Sequence, residues 1–220
     1  MNPSANTSMQ KRLYGTASEH AVFYQYNFHK AANIFAGLLQ TESPYFQPSP
    51  AAPAPFADVV GKFAGDPDYS CAAGNEFNGC NESWAVIVRQ SQNIIVASTG
   101  LYSWFLSYGK SCIDGHTCQK ALLYLDSNRA NARFQNLVTI GAKYMAVMDS
   151  KGISALANLN VDKHPSWSQI SILDVHSSTA CSSTRSSGST QKSGRWTSRR
   201  SRVRLHVTLK SRHGLAPPAR

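Results

Sequence analysis

Short apolar runs bounded by polar residues, Gly or Pro dominate the first 175 residues of the chain. The runs are rich in Val, Ile, Phe and Tyr, which is typical of β-strands and not of amphipathic helices. The pattern therefore predicts an all-β fold. The predicted strand segments are AVFYQYNF, NIFAGLLQT, WAVIVRQ, NIIVAST, NLVTIGAKYMAVM and WSQISILDV.

A loose repeat links three of these runs, because an Asn precedes the apolar strand and a Gly follows it. Asn tolerates the left-handed backbone conformation, and its amide can bond to the next coil of a stacked structure. The repeat therefore favours a solenoid of stacked strands. A β-sandwich with ordinary Asn and Gly turns is the alternative that these residues leave open. The pairs are Asn33 with Gly37, Asn93 with Gly100, and Asn136 with Gly141.

One segment departs from the strand pattern. CQKALLYLDSNRAN, from Cys118 to about Asn131, places Ala121, Leu122 and Leu125 on one side of a helix. Three apolar residues with this spacing predict a short helix. The predicted helix would be a local addition to an otherwise all-β body.

A proline-rich segment runs from Pro44 to Phe56 as PYFQPSPAAPAPF. Proline donates no backbone hydrogen bond, so this segment is not a central strand. We expect an extended, polyproline-like path across the surface. Tyr45, Phe46 and Phe56 indicate that the segment packs onto the fold.

The net charge of +10 lies entirely in the last part of the chain. Residues 1–175 carry 12 Lys and Arg against 12 Asp and Glu, whereas residues 176–220 carry 10 basic residues and no acid. Ser and Arg dominate the second part, a composition typical of a disordered arm. No nucleic-acid partner is expected, because no folded recognition motif accompanies the charge, and nucleic-acid binding through the basic tail is kept only as an alternative.

The cysteines form two close pairs in loops rich in Gly, Asn and Asp, and Cys181 is left over. Such pairs predict small disulfide-closed loops and an oxidising compartment. A zinc site is the alternative, but the spacing is not of the CxxC type and no His pair follows at ligand spacing. The predicted pairs are Cys71 with Cys80 and Cys112 with Cys118.

No apolar run approaches the length of a membrane span, so we expect no membrane association. The opening MNPSANTSMQ lacks the apolar core of a signal peptide. A body with disulfides but no export signal indicates that the true N-terminus is missing.

The body resembles the C-terminal part of glycoside hydrolase family 55 over residues 14–175. Members are fungal exo-acting β-1,3-glucanases, or glucan 1,3-β-glucosidases, often described as pectate-lyase-superfamily proteins. The resemblance implies a right-handed parallel β-helix, the second of a tandem pair with the substrate pocket between the two. The segments that carry it are YGTASEHAVFYQYNFHKAANIFAGLLQTESPYFQPSPAAPAPF, VVGKFAGDPDYSCAAGNEFNGCNESWAVIVRQSQNIIVASTGLYSWF, CQKALLYLDSNRANARFQNLVTIGAKYMAVMD and HPSWSQISILDV.

The family hydrolyses with inversion, which requires an acid for the leaving oxygen and an activated water on the opposite face of the sugar. Glu42 matches the family's glutamate in the motif that reads QTESPY here, which implies that it is the general acid. Leu38 and Leu39 before it, and Tyr45 and Phe46 after it, supply apolar surroundings that favour the protonated acid. A surface glutamate beside proline is the alternative.

Further site residues follow from the same segments. Glu19 in SEHAVFYQY is a second carboxylate that binds substrate or tunes Glu42. No cofactor or metal is implied, and the general base is not assigned. The implied substrate-binding residues are His20, Tyr24, Gln25, Gln40 and Tyr45. Aromatic rings that suit the apolar face of glucose, with core packing as the alternative, are Tyr45, Trp84, Tyr102, Trp104 and Trp167.

The resemblance divides the chain into an uncertain start at 1–13, a β-helix domain at 14–175 and a basic tail at 176–220. Family members continue with an acidic, Trp-containing stretch, and suitable codons read one position earlier give such a stretch here. The tail is therefore expected to be an out-of-frame translation.

The implied partners are β-1,3-glucan, such as laminarin or fungal wall glucan, and an N-terminal β-helix that this chain lacks. With one wall of the pocket absent, the isolated chain is expected to be an incomplete enzyme, extracellular by lineage. A non-catalytic carbohydrate-binding or wall-associated β-helix is the alternative function.

Overall fold

Parallel strand pairing organises residues 10–70, 81–128 and 130–175, the part of the chain described by this computed structural model. These residues are mostly strand, which confirms the all-β prediction. None of their helices has the length and apolarity needed to cross a membrane. The strands are β1 (Lys11–Leu13), β2 (Thr16–Glu19), β3 (Tyr24–His29), β4 (Ala32–Ala36), β5 (Leu39–Glu42), β6 (Trp84–Arg89), β7 (Gln92–Val96), β8 (Thr99–Tyr102), β9 (Gln119–Asp126), β10 (Ala130–Ile140), β11 (Ala142–Met148), β12 (Lys151–Ser154), β13 (Leu159–Val161) and β14 (Trp167–Val175). The helices are short turns at Ala57–Val59 and Leu156–Asn158.

The chain visits two sheets in turn. The first sheet has the order β1-β4-β7-β10-β8-β5-β2, and the second has the order β12-β11-β9-β6-β3. Pairing is parallel within both sheets except where β14 joins β10, β13 joins β14, and β12 joins β11. Each circuit therefore lays new strands beside those of the circuit before. Ile34 pairs with Ile94, and Ile94 pairs with Ala132.

Inward-facing residues of both sheets form one buried cluster. Equivalent positions stack across neighbouring strands at about 4.8 Å, so an apolar residue in one circuit covers an apolar residue in the next. Burial of these rows fixes which side chains face outward. Among the rows are Ala36–Val96–Phe134 in the first sheet and Val86–Leu123–Ala146 in the second.

An amide ladder runs along the edge of the first sheet. Asn93 Nδ2 donates to Asn33 Oδ1 at 3.0 Å, and Asn131 Nδ2 lies 3.4 Å from Asn93 Oδ1. All three residues have left-handed φ values between 50° and 58°. Asn136 has the expected left-handed φ, at 48°, before the buried Leu137. Its predicted equivalence to Asn93 is wrong, because the register aligns Asn131 with Asn93 and places Asn136 inside β10.

The predicted helix from Cys118 to about Asn131 is wrong. The segment forms β9, which lies between β6 and β11 in the second sheet. Leu122, Leu123 and Leu125 are fully buried. A parallel strand covered on both faces has a near-continuous apolar run, which local periodicity does not distinguish from a buried helix.

The expected extended path of the proline-rich segment is also wrong, because the segment folds into successive turns. Ser49 N–H donates to the Phe46 carbonyl at 3.0 Å, and Phe56 N–H donates to the Pro53 carbonyl at 2.8 Å. Polyproline helices have no such internal bonds. The segment does pack on the fold, since Gln47 is buried.

A disulfide between Cys112 and Cys118 closes the predicted loop. Cys71, Cys80 and Cys181 lie outside the described residues, as does the tail from residue 176. The closed loop is tied to the segment before β14, because His116 Nε2 lies 3.0 Å from Ser166 Oγ and Asp114 Oδ1 accepts a bond from Ser166 N–H at 2.9 Å.

Replacement of Asn93 by Ala should lower the free energy of unfolding by about 1–2 kcal/mol, because Ala loses both the ladder bonds and the tolerance of a left-handed φ. Asn93→Gly restores the backbone tolerance and should lose less than Asn93→Ala. Urea unfolding of the three proteins measures the difference. Equal losses in the two variants would show that backbone conformation contributes nothing here.

Burial lowers the pKa of His116 from its ordinary value of 6.5. The unfolded state therefore binds more protons just below that pH, and acidification from about pH 7.5 to about pH 5 should destabilise the fold through this residue. His116→Gln should reduce that loss, as measured by urea unfolding at the two pH values. An identical pH dependence in variant and wild type would contradict the assignment.

Candidate active site

The ends of three parallel strands bring the candidate acid beside two other polar residues. Glu19 ends β2, Glu42 ends β5 and Tyr102 ends β8, and the register pairs Glu19 with Glu42 and Glu42 with Tyr102. Leu39 and Thr41 are fully buried, so the alternating residues Gln40 and Glu42 face outward. The sheet register thus creates a row of side chains from residues far apart in sequence.

Two side chains hold the Glu42 carboxylate through the same oxygen. The Tyr45 hydroxyl donates to Glu42 Oε2 at 3.0 Å, and His20 Nε2 lies 3.4 Å from that atom. The His20 backbone N–H also donates to the Glu42 carbonyl at 2.9 Å, with His20 in a left-handed conformation at φ 62°. The side chain of Glu42 is 21% exposed and that of His20 is 44% exposed, so the group is open to solvent.

Glu19 has a separate partner in Gln40, whose Nε2 donates to Glu19 Oε1 at 3.1 Å. One ligand-type atom from each of Glu19, His20 and Glu42 lies within 4.8 Å of the others. Oxygen and imidazole donors of this kind could hold a divalent cation. Each of the three side chains already has a partner within the protein, and we assign no metal to them.

The ring of Tyr45 is fixed from two sides. It meets the His20 ring edge-on at a centroid distance of 4.3 Å and packs against Phe105 at 4.2 Å. The Tyr45 carbonyl accepts a bond from the Tyr108 N–H at 2.8 Å. Packing and hydrogen bonding therefore hold the hydroxyl on Glu42.

A buried polar network lies directly behind the candidate acid. The Ser43 hydroxyl donates to Gln119 Oε1, and the Ser43 N–H donates to the Tyr102 carbonyl at 3.0 Å. Gln47 Nε2 donates to the same Gln119 oxygen at 3.1 Å, and the Ser83 N–H donates to Gln47 Oε1 at 3.0 Å. The network connects the residue after Glu42 to the start of the second sheet, which positions the acid.

Two tyrosines near Glu42 hold their protons more strongly than usual. The pKa of Tyr45 is raised, first by its hydrogen bond to Glu42 and then by burial. The pKa of Tyr102 is raised by burial and then by the negative charge of Glu42. Both hydroxyls are therefore neutral hydrogen-bond donors around neutral pH.

The structure places two of the expected site residues away from this row. The Tyr24 hydroxyl donates to Asp66 Oδ1 at 2.7 Å over the second sheet. Gln25 is buried and binds both the N–H and the carbonyl of Ala21, at 3.1 and 2.9 Å. Gln25 thus supports the turn that follows His20.

The other expected residues differ in their surroundings. Of the residues expected to surround Glu42, Leu39 faces the core and Leu38 is exposed to solvent. Tyr45 contacts the Glu42 carboxylate. Trp84 is buried, and Trp104 and Trp167 pack partly buried around the disulfide loop.

Sequence reasoning missed the residues that support the acid. Gln119 lay inside the predicted helix, and no local signal marks Phe105 as the residue that packs on Tyr45. Their roles depend on contacts between segments that the sequence alone does not align.

Several curated proteins that are similar to this chain are named as glucan 1,3-β-glucosidases. A probable glucan endo-1,3-beta-glucosidase from Arthroderma benhamiae is 33% identical over 141 residues, which is 60% of this chain and 15% of that protein. A glucan 1,3-beta-glucosidase from Cochliobolus carbonum is 31% identical over 139 residues, 60% of this chain and 16% of that protein. No protein-family model matches the chain.

A third relative has a different name. A non-secreted LysM effector from Penicillium expansum is 44% identical over 87 residues, 40% of this chain and 6% of that protein. The chain spans roughly one sixth of the length of the glucosidases that it matches. The comparisons therefore support a glycosidase lineage for the described segment.

Glu42→Gln should lower the pKa of Tyr45 towards its ordinary value of 10, because the variant removes the negative charge that stabilises the protonated hydroxyl. The pKa of Tyr102 should fall less, since burial is its larger cause. Tyrosine titration by carbon NMR measures both pKa values. The control variant Glu19→Gln should lower the pKa of Tyr45 less, because the charge of Glu19 is the smallest of its causes. An unchanged Tyr45 value would refute the contact with Glu42.

Proposed function

We propose that this chain is part of a glycoside hydrolase that cleaves β-1,3-glucan, with Glu42 as the general acid. The observation that supports the proposal most directly is that Tyr45 and His20 both contact the Glu42 carboxylate. Glu42 lies in the outward-facing row of side chains at the strand ends. The similarity to proteins named as glucan 1,3-β-glucosidases supports the substrate class. The proposed reaction is exo-acting and inverting, and it releases glucose.

The anchoring suggests how the proton is delivered. Both contacts of the described residues fall on Oε2 of Glu42, which leaves Oε1 to face the glycosidic oxygen. General acid catalysis of this kind contributes about 10²–10⁴ to the rate. The neutral Tyr45 hydroxyl keeps the carboxyl in one orientation through the step.

Glu19 does not suit the role of general base in this proposal. Inverting enzymes place their two carboxyl groups about 6.5–9.5 Å apart to admit water. One oxygen of Glu19 lies within 4.8 Å of one oxygen of Glu42, and the two residues pair on neighbouring strands, so both carboxyl groups approach a bound sugar from the same side. We therefore assign Glu19 to substrate binding or to the tuning of Glu42, with Gln40 as its partner. The base belongs to another part of the complete protein.

The proposed scaffold is a right-handed parallel β-helix over residues 14–175, the second of a tandem pair. In-register parallel strands in two alternately visited sheets support this. An N-terminal β-helix would supply the opposite wall of the pocket. The Cys112–Cys118 disulfide supports an extracellular location. We propose that residues 176–220 are an out-of-frame translation, which the coding DNA would decide.

A chimera tests the acid in a complete enzyme. Residues 10–175 of this chain replace the corresponding segment of the Arthroderma benhamiae protein, and glucose release from laminarin is measured. Glu42→Gln should lower turnover by about 10²–10⁴-fold while laminarin binding is retained. Asp162→Asn, at an exposed acid elsewhere, should leave turnover unchanged. Near-normal turnover in the Glu42 variant would overturn the assignment.

A second candidate function is non-catalytic carbohydrate binding. It is favoured by the exposure of Glu19 and His20, which leaves these polar side chains accessible to a bound saccharide. It predicts that the 220-residue chain binds laminarin without glucose release and that the active chimera does not depend on Glu42.

A further inference from the structure

A second concave site lies over the second sheet, on the face opposite the main core. The cavity has a volume of about 290 Å³ and lies between the 66–68 segment and strands β6 and β9. This volume lies just below the range of about 300–1,000 Å³ for ligand pockets, so the cavity suits a ligand of one sugar ring. Asp66, Asp68, Trp84, Arg89 and Tyr124 line the cavity.

Hydrogen bonds fix the loop that forms one wall. Asp66 Oδ1 accepts the bond from the Tyr24 hydroxyl, and Asp66 Oδ2 accepts bonds from the N–H groups of Gly61 and Phe63, each at 3.1 Å. The Tyr69 hydroxyl donates to the Phe23 carbonyl at 2.7 Å. The wall is therefore formed before any ligand arrives, which lowers the entropic cost of binding.

The opposite wall carries a buried donor that no described residue satisfies. Arg89 Nε is buried and has no hydrogen-bond partner among the described residues. Its nearest acid oxygen, Asp126 Oδ2, lies at 3.6 Å, beyond hydrogen-bond distance. Nε itself is too enclosed for a ligand oxygen to reach, but the Arg89 side chain as a whole is 29% exposed, so the remaining N–H groups of the guanidinium offer donors to a ligand in the cavity. Asp68 is exposed at the rim and offers an acceptor.

Aromatic rings form the floor. Trp84 and Tyr124 stack at a centroid distance of 5.0 Å with 28° between their planes, and the Arg89 guanidinium lies 5.9 Å from the Tyr124 centroid. The lining thus combines carboxylates, a guanidinium and apolar ring surface. Charges of both signs disfavour a simple anion or cation. Hydroxyl groups, which both donate and accept, match such a lining, and ring C–H groups match the aromatic surface.

We propose that this cavity binds a glucosyl unit of β-1,3-glucan as a second saccharide site, separate from Glu42. The exposed part of the Arg89 guanidinium donates to a sugar oxygen, and Asp68 accepts from a hydroxyl at the rim. The choice of glucan rests on the proposed function. A site of this kind would hold the polymer while its end is processed elsewhere on the protein.

The test titrates the 220-residue chain with laminaritriose and monitors the NMR signal of the Trp84 indole N–H. The Trp84→Phe variant, which lacks this signal, assigns it. Wild type should show a saturable shift. Arg89→Lys keeps the positive charge but removes the planar guanidinium with its N–H donors, and Asp68→Asn keeps the acceptor for Ser70 N–H but removes the charge. Each should weaken binding at least about fivefold, the effect of losing one charged hydrogen bond.

Three controls make the result specific. Asp162→Asn should bind like wild type, and maltotriose, an α-linked isomer, should bind more weakly. Glu42→Gln should leave the Trp84 shift unchanged. Unaltered binding in both Arg89→Lys and Asp68→Asn, or no Trp84 shift at millimolar laminaritriose, would overturn the inference.

The two proposals fail separately. Near-normal turnover of the Glu42→Gln chimera would overturn only the assignment of the acid. The Trp84 shift would remain as an independent result. Laminaritriose shifts that depend on Glu42 and Tyr45, with a silent Trp84 indole, would retain the proposed function and exclude the second site.

Discussion

The parallel register of β2, β5 and β8 is the constraint on which the candidate site depends. Because side chains alternate across a strand, a slip of one residue would turn Glu42 into the core and Thr41 out to solvent. Burial of Leu39 and its stacked partners in β8 and β10 opposes such a slip. The hydrophobic core thereby determines the orientation of a carboxylate that is not part of it.

One insertion builds the walls of both sites. The chain between β5 and β6 places Tyr45 on Glu42 near its beginning, and it then places Asp66 over Tyr24 at the second sheet. The buried network around Gln119 joins this insertion to both sheets. The strands therefore act as a regular scaffold, whereas the segment between β5 and β6 supplies the irregular walls of both sites.

Local pattern was sufficient where alternation or β-branched residues mark a strand, even in β6, which is buried on both faces, and it was insufficient for β9, whose buried run consists of Ala and Leu. The β3, β6 and β14 segments were predicted from alternation and β-branched residues. The β9 segment looked helical because its apolar run is continuous. Asn136 looked equivalent to Asn33 and Asn93 because the sequence does not show which residues pair across circuits of unequal length.

The sequence by itself determined the all-β class and the Cys112–Cys118 pairing, because each depends on residues close together in the chain, whereas the candidacy of Glu42 came from the resemblance of long segments to a known family. Only the tertiary structure decided that His20, Gln40 and Tyr45 gather around the two carboxylates while Tyr24 turns to Asp66. It also brought Arg89 and Asp68 to one cavity. These contacts follow from the register between distant strands, and that register is set by the packing of the whole core.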